Sequence, residues 1–175
     1  MVNLDVSSAL AELDGETVHL AIRHSRSQSV WPRSEARHLL DVRLTPMVKD
    51  DSAVQSTDPR AWSGNVPMLH DENTDSWSEW IVSAGISVAT WRGPTFSNSA
   101  VALQGATSGQ GMALGSRIVA GELLESGALI APFQHEVTDG AYWLLARKFE
   151  KLSKAEATFC SWLVEQVAQA SAKVV

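Results

Sequence analysis

Cysteine is almost absent. The one thiol, Cys160, excludes a disulfide framework within the chain, and no His, Cys, Asp or Glu group stands at the spacing of a metal site, so no metal and no cofactor is expected. Cations are also scarce. Fourteen Lys and Arg against 20 Asp and Glu give a formal charge of −6, whereas a phosphate-binding groove needs clustered basic residues that displace counterions. No direct nucleic-acid contact by this chain is therefore expected. No segment approaches the ~18 consecutive apolar residues of a membrane helix. The opening MVNLDVSS lacks the basic start and apolar run of a secretory signal. The expected setting is the cytoplasm, away from membranes. Internal repeats are missing too, which excludes a solenoid.

What remains is ordinary material for a packed soluble globule: 175 residues, 45% of them hydrophobic and 19% charged. Short apolar runs alternate with helical stretches, the pattern of an α/β protein. Val2 to Val6 alternates and is read as a strand. Ser7 or Ser8 then caps a short helix, Ala9 to Leu13, and Gly15 precedes a second strand, Val18 to Arg23. After a polar loop, Ala36 to Lys49 is extended, and residues 49–64 have linker composition.

The middle of the chain repeats the alternation on its own. Val66 to Leu69 reads as a buried strand, followed by a helix with Trp77, Trp80 and Ile81 on one face and Gly85 at its end. Thr95 to Ser97 is extended and Asn98 to Ser108 helical, with Val101, Leu103 and Ala106 inward and Gly109 as its stop. Met112 to Gly115 is a strand, Arg117 to Ser126 a helix closed by Gly127, and Leu129 to Phe133 another strand. Ala141 to Arg147 returns as a long strand. Ser153 with Glu156 forms the reciprocal capping arrangement that opens a last helix, whose apolar stripe is Phe159, Trp162, Leu163 and Val167. Two lobes follow: residues 1–46 with 144–175 as the first, and residues 47–143 as the second.

Five segments carry a family resemblance, in order and in register: DGETVHLAIR (Asp14 to Arg23), VWPRSEARHLLDVRLTPMV (Val30 to Val48), FSNSAVALQGATSGQGMALG (Phe96 to Gly115), GALIAPF (Gly127 to Phe133) and GAYWLLARK (Gly140 to Lys148). Together they resemble the effector-binding domain of LysR-type transcriptional regulators, in the subgroup that includes glycine-cleavage activators. The resemblance implies a two-lobed, type II periplasmic-binding-protein-like fold with mixed sheets. It also implies that the DNA-binding winged helix-turn-helix and the first strand and helix of the first lobe lie outside this sequence. An incomplete first lobe leaves backbone groups unpaired on the strands beside the gap. A homodimer that shields this lobe is therefore expected.

In such folds the ligand sits in a cleft between lobes, held by strand ends and helix N-termini whose N–H groups favour anions. The expected partner is a small anionic or zwitterionic metabolite. On the first lobe Ser7 and Ser8 open a helix; on the second, Phe96, Ser97 and Asn98 do so. For each the plainer reading is a simple helix cap, which does not exclude a ligand contact. Arg23 and His24 end a strand, where the arginine either pairs with a carboxylate or remains a surface cation. Thr45 and Pro46 stand at the crossover between lobes, Gly111 permits a close backbone approach, and Phe133 shapes the rim. Catalysis is not expected, because no GxSxG elbow, HExxH or oriented acidic pair occurs. The glycines of GATSGQGMALG follow a helix and enter a strand, the reverse of a dinucleotide fingerprint. The first functional expectation is thus an inducer-sensing domain. Its rivals are a truncated partner that dimerises with intact regulators, a remnant without function, and a solute receptor.

Overall fold

The computed structural model describes residues 3–6, 13–14, 16–49, 56–61, 66–72, 75–86 and 93–174. In chain order these form strand β1 (Leu20–Ser25), strand β2 (Glu35–Met47), strand β3 (Met68–Leu69), helix α1 (Asp75–Ser83), helix α2 (Ser99–Thr107), strand β4 (Met112–Gly115), helix α3 (Gly121–Glu125), strand β5 (Val137–Ala146) and helix α4 (Lys154–Val174). Two compact units result, Met1–Leu40 with Gly140–Gln169 and Asp41–Asp139 with Ala170–Val175.

In the first unit the strand order is β1-β5-β2. β1 and β5 run antiparallel, from Leu20 opposite Ala146 to Ser25 opposite Ala141. β1 starts two residues later than its apolar pattern predicts. The reason lies in Asp14, whose Oδ1 accepts the N–H groups of Glu16, Thr17 and Val18 and so takes the Val18 N–H ahead of the strand. Those three donors hold the Asp14 carboxyl well below the usual carboxylate range. The expected strand at Val2 to Val6 is not formed at residues 3–6, where Leu4 is 83% and Val6 98% exposed. Alternation marks a strand only where another strand accepts its ladder bonds, and no described residue does so here. The helix expected at Ala9 to Leu13 lies outside the described residues except for Leu13.

α4 begins as its sequence requires. Ser153 N–H donates to Glu156 Oε2 at 2.7 Å, and Glu156 N–H donates to Ser153 Oγ at 3.3 Å. Replacing Ser153 by alanine is expected to lower stability by about 1 kcal/mol, the usual worth of an N-cap, in urea denaturation; no change would mean that the helix start is held by packing alone. The stripe on α4 is shallower than expected, since Trp162 is 52% exposed and the buried side chain of that turn is Cys160. Burial pushes the Cys160 thiol up. At the base of the unit Glu35 accepts from Lys148 Nζ at 2.7 Å and from the Phe149 N–H at 2.9 Å, and the Arg37 guanidinium lies 3.8 Å above the Phe149 ring centre.

The second unit is built on a mixed sheet of order β2-β4-β3. β2 is antiparallel to β4, with Thr45 opposite Gly115 and Met47 opposite Ala113, and β3 is parallel to β4, with Met68 opposite Met112. Strand alternation divides its core in two. Val48, Met68, Met112 and Leu114 pack with Trp77, Trp80 and Ile81 of α1 and with Phe133. Met47, Leu69 and Ala113 pack with Ala102, Leu103 and Ala106 of α2 and with Leu129. Val101, expected inward, is 37% exposed because α2 buries the face formed by Ala102, Leu103, Gly105 and Ala106.

Two further segments depart from their apolar patterns. The helix expected over Arg117 to Ser126 is confined to Gly121–Glu125. Leu129 to Phe133, expected as a strand, makes a single antiparallel bridge, Ile130 with Val48. Pro132 has no N–H to extend that ladder. Leu129 and Phe133 are nonetheless fully buried, one in each core cluster, so the run is apolar for packing rather than for pairing. No helix among the described residues is long and apolar enough to cross a membrane.

Candidate ligand site

Ser7 and Ser8 lie outside the described residues. In the first unit Arg23 and His24 occupy β1 opposite Trp143 and Tyr142 of β5. Arg23 is half-buried and His24 exposed, its ring 5.4 Å from that of Tyr142. Trp143 in turn is bracketed by Trp31 at 5.7 Å and His38 at 5.3 Å.

The remaining candidates all fall in the second unit. Thr45 and Pro46, near the end of β2, are fully buried. The Thr45 hydroxyl donates to the Phe133 carbonyl at 3.3 Å, which also accepts from Arg117 Nη2. Arg117 Nε holds Glu136 Oε1 at 3.0 Å. The Phe133 ring is committed to the core at 5.3 Å from Trp80, so its backbone, not its side chain, is the polar feature at this point. Arg117 carried no signal in sequence, because its carboxylate partner stands 19 positions away.

Residues 95–98 form a second group. Thr95 bridges His70 in parallel, His70 N–H donates to the Pro94 carbonyl at 2.9 Å, and Phe96 N–H donates to the His70 carbonyl at 2.8 Å. This seam continues β3 by one residue and delivers the chain to the start of α2. Asn98 caps that helix, its Oδ1 accepting the Val101 N–H at 3.0 Å from an extended backbone. The first-turn N–H groups of Ser99 and Ala100 have no acceptor within the helix. With the exposed Ser97 hydroxyl beside them, they make a donor-rich end of the kind that favours a carboxylate. Phe96 is half-buried behind them and packs into the α2 cluster. Gly111 lies deeper: a Cβ there would stand 2.3 Å from the Pro67 carbonyl, so the glycine lets β3 and β4 approach.

Among the described residues, Ser83 and His135 form a pair that resembles catalytic machinery, Oγ to Nε2 at 2.8 Å. The Ser83 hydroxyl also lies 3.0 Å from the Trp80 carbonyl, to which it donates. With that hydrogen on the carbonyl, the Ser83 oxygen is left to accept from the Nε2–H tautomer of His135, the reverse of an activated nucleophile. No group of three or more potential metal ligands is found among the described residues.

The fold is shared with effector domains of transcriptional regulators. The effector domain of the regulator AmpR from Pseudomonas aeruginosa superposes with a TM-score of 0.76 at 28% identity, covering 94% of this chain and 80% of that one. AmpR of Providencia stuartii is 28% identical over 158 residues, 90% of this chain and 53% of its own length. The glycine cleavage system transcriptional activator of Escherichia coli K12 is 27% identical over 160 residues, 87% and 51% respectively. The fold is thus the α/β, mixed-sheet, periplasmic-binding-protein-like type of effector-binding domain. Residues 2–168 match the LysR substrate binding domain, and the chain belongs to that domain family. It spans about half the length of the regulators it matches.

Proposed function

We propose that this chain senses a small anionic or zwitterionic metabolite as the inducer of a LysR-type regulator, without catalysis and without touching DNA itself. The observation that carries this reading is the family match over residues 2–168 together with the likeness to an isolated effector domain. The proposed lobes are residues 1–46 with 144–175 and residues 47–143. Ligand contacts are assigned to Ser7, Ser8, Arg23 and His24 on the first, and to Thr45, Pro46, Phe96, Ser97, Asn98, Gly111 and Phe133 at the crossover and on the second. Their chemistry supports the assignment: hydroxyl, amide and helix-start donors together with a guanidinium suit a carboxylate. A cytoplasmic homodimer is the proposed working form.

A thermal-shift screen of amino acids and small carboxylates tests the proposal directly. A true ligand at a hundredfold excess over Kd stabilises by about 2.7 kcal/mol. Arg23→Ala is then expected to weaken a carboxylate ligand by more than tenfold in titration calorimetry. Unchanged affinity would move the carboxylate anchor elsewhere, and a screen with no hit would favour a chain that acts only by pairing with other subunits.

A further inference from the structure

His70 has a feature that the sensing role does not use. Its Nδ1 is buried and is the one buried side-chain nitrogen or oxygen among the described residues without a hydrogen-bond partner. Its backbone, by contrast, is engaged on both sides, N–H to the Pro94 carbonyl and C=O to the Phe96 N–H. β3 is only two residues long, and these two bonds through His70 are the backbone hydrogen bonds that join residues 94–96 to its end.

We propose that His70 is an acid-sensitive latch, whose protonation releases the Thr95–Asn98 segment from the end of β3. A neutral imidazole tolerates an idle ring nitrogen as a weak, unused acceptor. The imidazolium has two N–H donors and a charge, and one of those donors would face a site without an acceptor. Water has to enter. The least cooperative structure beside the ring is the two-bond seam to Pro94 and Phe96, so that seam opens first. Asn98 and the start of α2 follow it.

The surrounding charges permit this. Among the described residues, the ionisable groups beside His70 are Asp71 and Glu72, which follow it in the chain, and Asp75 and Glu79 on α1. β4, α2 and residues 93–98 carry none. Burial lowers the pKa of His70 from the ordinary histidine value, with Asp71 opposing less strongly. Because the closed state has the depressed pKa, the open state binds the proton first. The latch is therefore closed above the ordinary histidine range and weakens as pH falls through the depressed value.

The test is amide exchange and NMR titration of the full 175-residue chain between pH 7.5 and 5, with no ligand present. The His70 ring is expected to titrate below a free histidine. The Thr95, Phe96, Ser97 and Asn98 amides should shift with the same midpoint, and the protection factor of the Phe96 amide should fall at least tenfold by pH 5. In His70→Gln that pH dependence should vanish. If the variant does not fold, coincidence of midpoints in the unaltered chain decides. A Phe96 amide protected throughout, a midpoint at or above that of free histidine, or a response that persists in His70→Gln overturns the proposal.

Discussion

Trp80→Ala is expected to lower stability by about 3 to 5 kcal/mol, the range for truncating a buried large aromatic. Trp80 is fully buried in the cluster that joins α1 to the second-unit sheet. Its ring meets Trp77 edge-on at 6.1 Å and lies 5.3 Å from Phe133 and 5.8 Å from His135. The loss has two parts. A cavity opens between β3, β4 and residues 133–135, and the His135 carbonyl, which accepts the indole N–H at 3.0 Å, loses its donor. Trp80→Phe should recover much of the first part and none of the second. Urea denaturation at unchanged slope is the measurement. Val82→Ala, on the same helix but 72% exposed, should cost little. A Trp80→Ala loss below about 1 kcal/mol would mean that α1 is not anchored as described.

Gly140→Ala is the second large effect, with an origin in the backbone. Gly140 has a φ of 82°, and a Cβ there would lie 2.2 Å from the Ser25 carbonyl oxygen and 2.5 Å from Arg26 Cα. Neither neighbour is a side chain that can swing away. The left-handed conformation costs an alanine about 1 to 2 kcal/mol, and forcing the β1 terminus from β5 adds a strain of about 1 to 3 kcal/mol. A total loss of about 2 to 5 kcal/mol is expected in denaturant titration. Gly121→Ala is the control, since nothing lies within 4 Å of its Cβ position and a helix residue gains from the exchange. Equal effects at the two glycines would remove the steric account.

Where the predicted effects are large, the sequence had shown only part of the cause. The helical spacing of Trp77, Trp80 and Ile81 marks them as one buried face, yet nothing in it names Phe133 or the His135 carbonyl as what they meet. Gly140 stands just ahead of the strand expected at Ala141 to Arg147, and β5 in fact includes it; its contact with Ser25 depends on the pairing of β1 with β5, more than 100 positions apart. The candidate site divides the same way. Asn98 as a cap was legible from its type and place, whereas the Phe133 carbonyl shared by Thr45 and Arg117 was not.

Local physics accounts for what one dimension could hold. Caps such as Ser153 with Glu156, the glycine stops after α1, α2 and α3, the run of β2 and the family itself rest on residues within a turn or a strand of one another, or on motif order. Pairing and burial partners needed three dimensions. Leu4 and Val6 alternate like a strand but are exposed, Leu129 and Phe133 resemble one but serve two cores, and His70 is unremarkable until its ring nitrogen is found buried without a partner. A hydrogen-bond ladder or a core requires the far partner to be present, and a single segment carries no record of who that partner is.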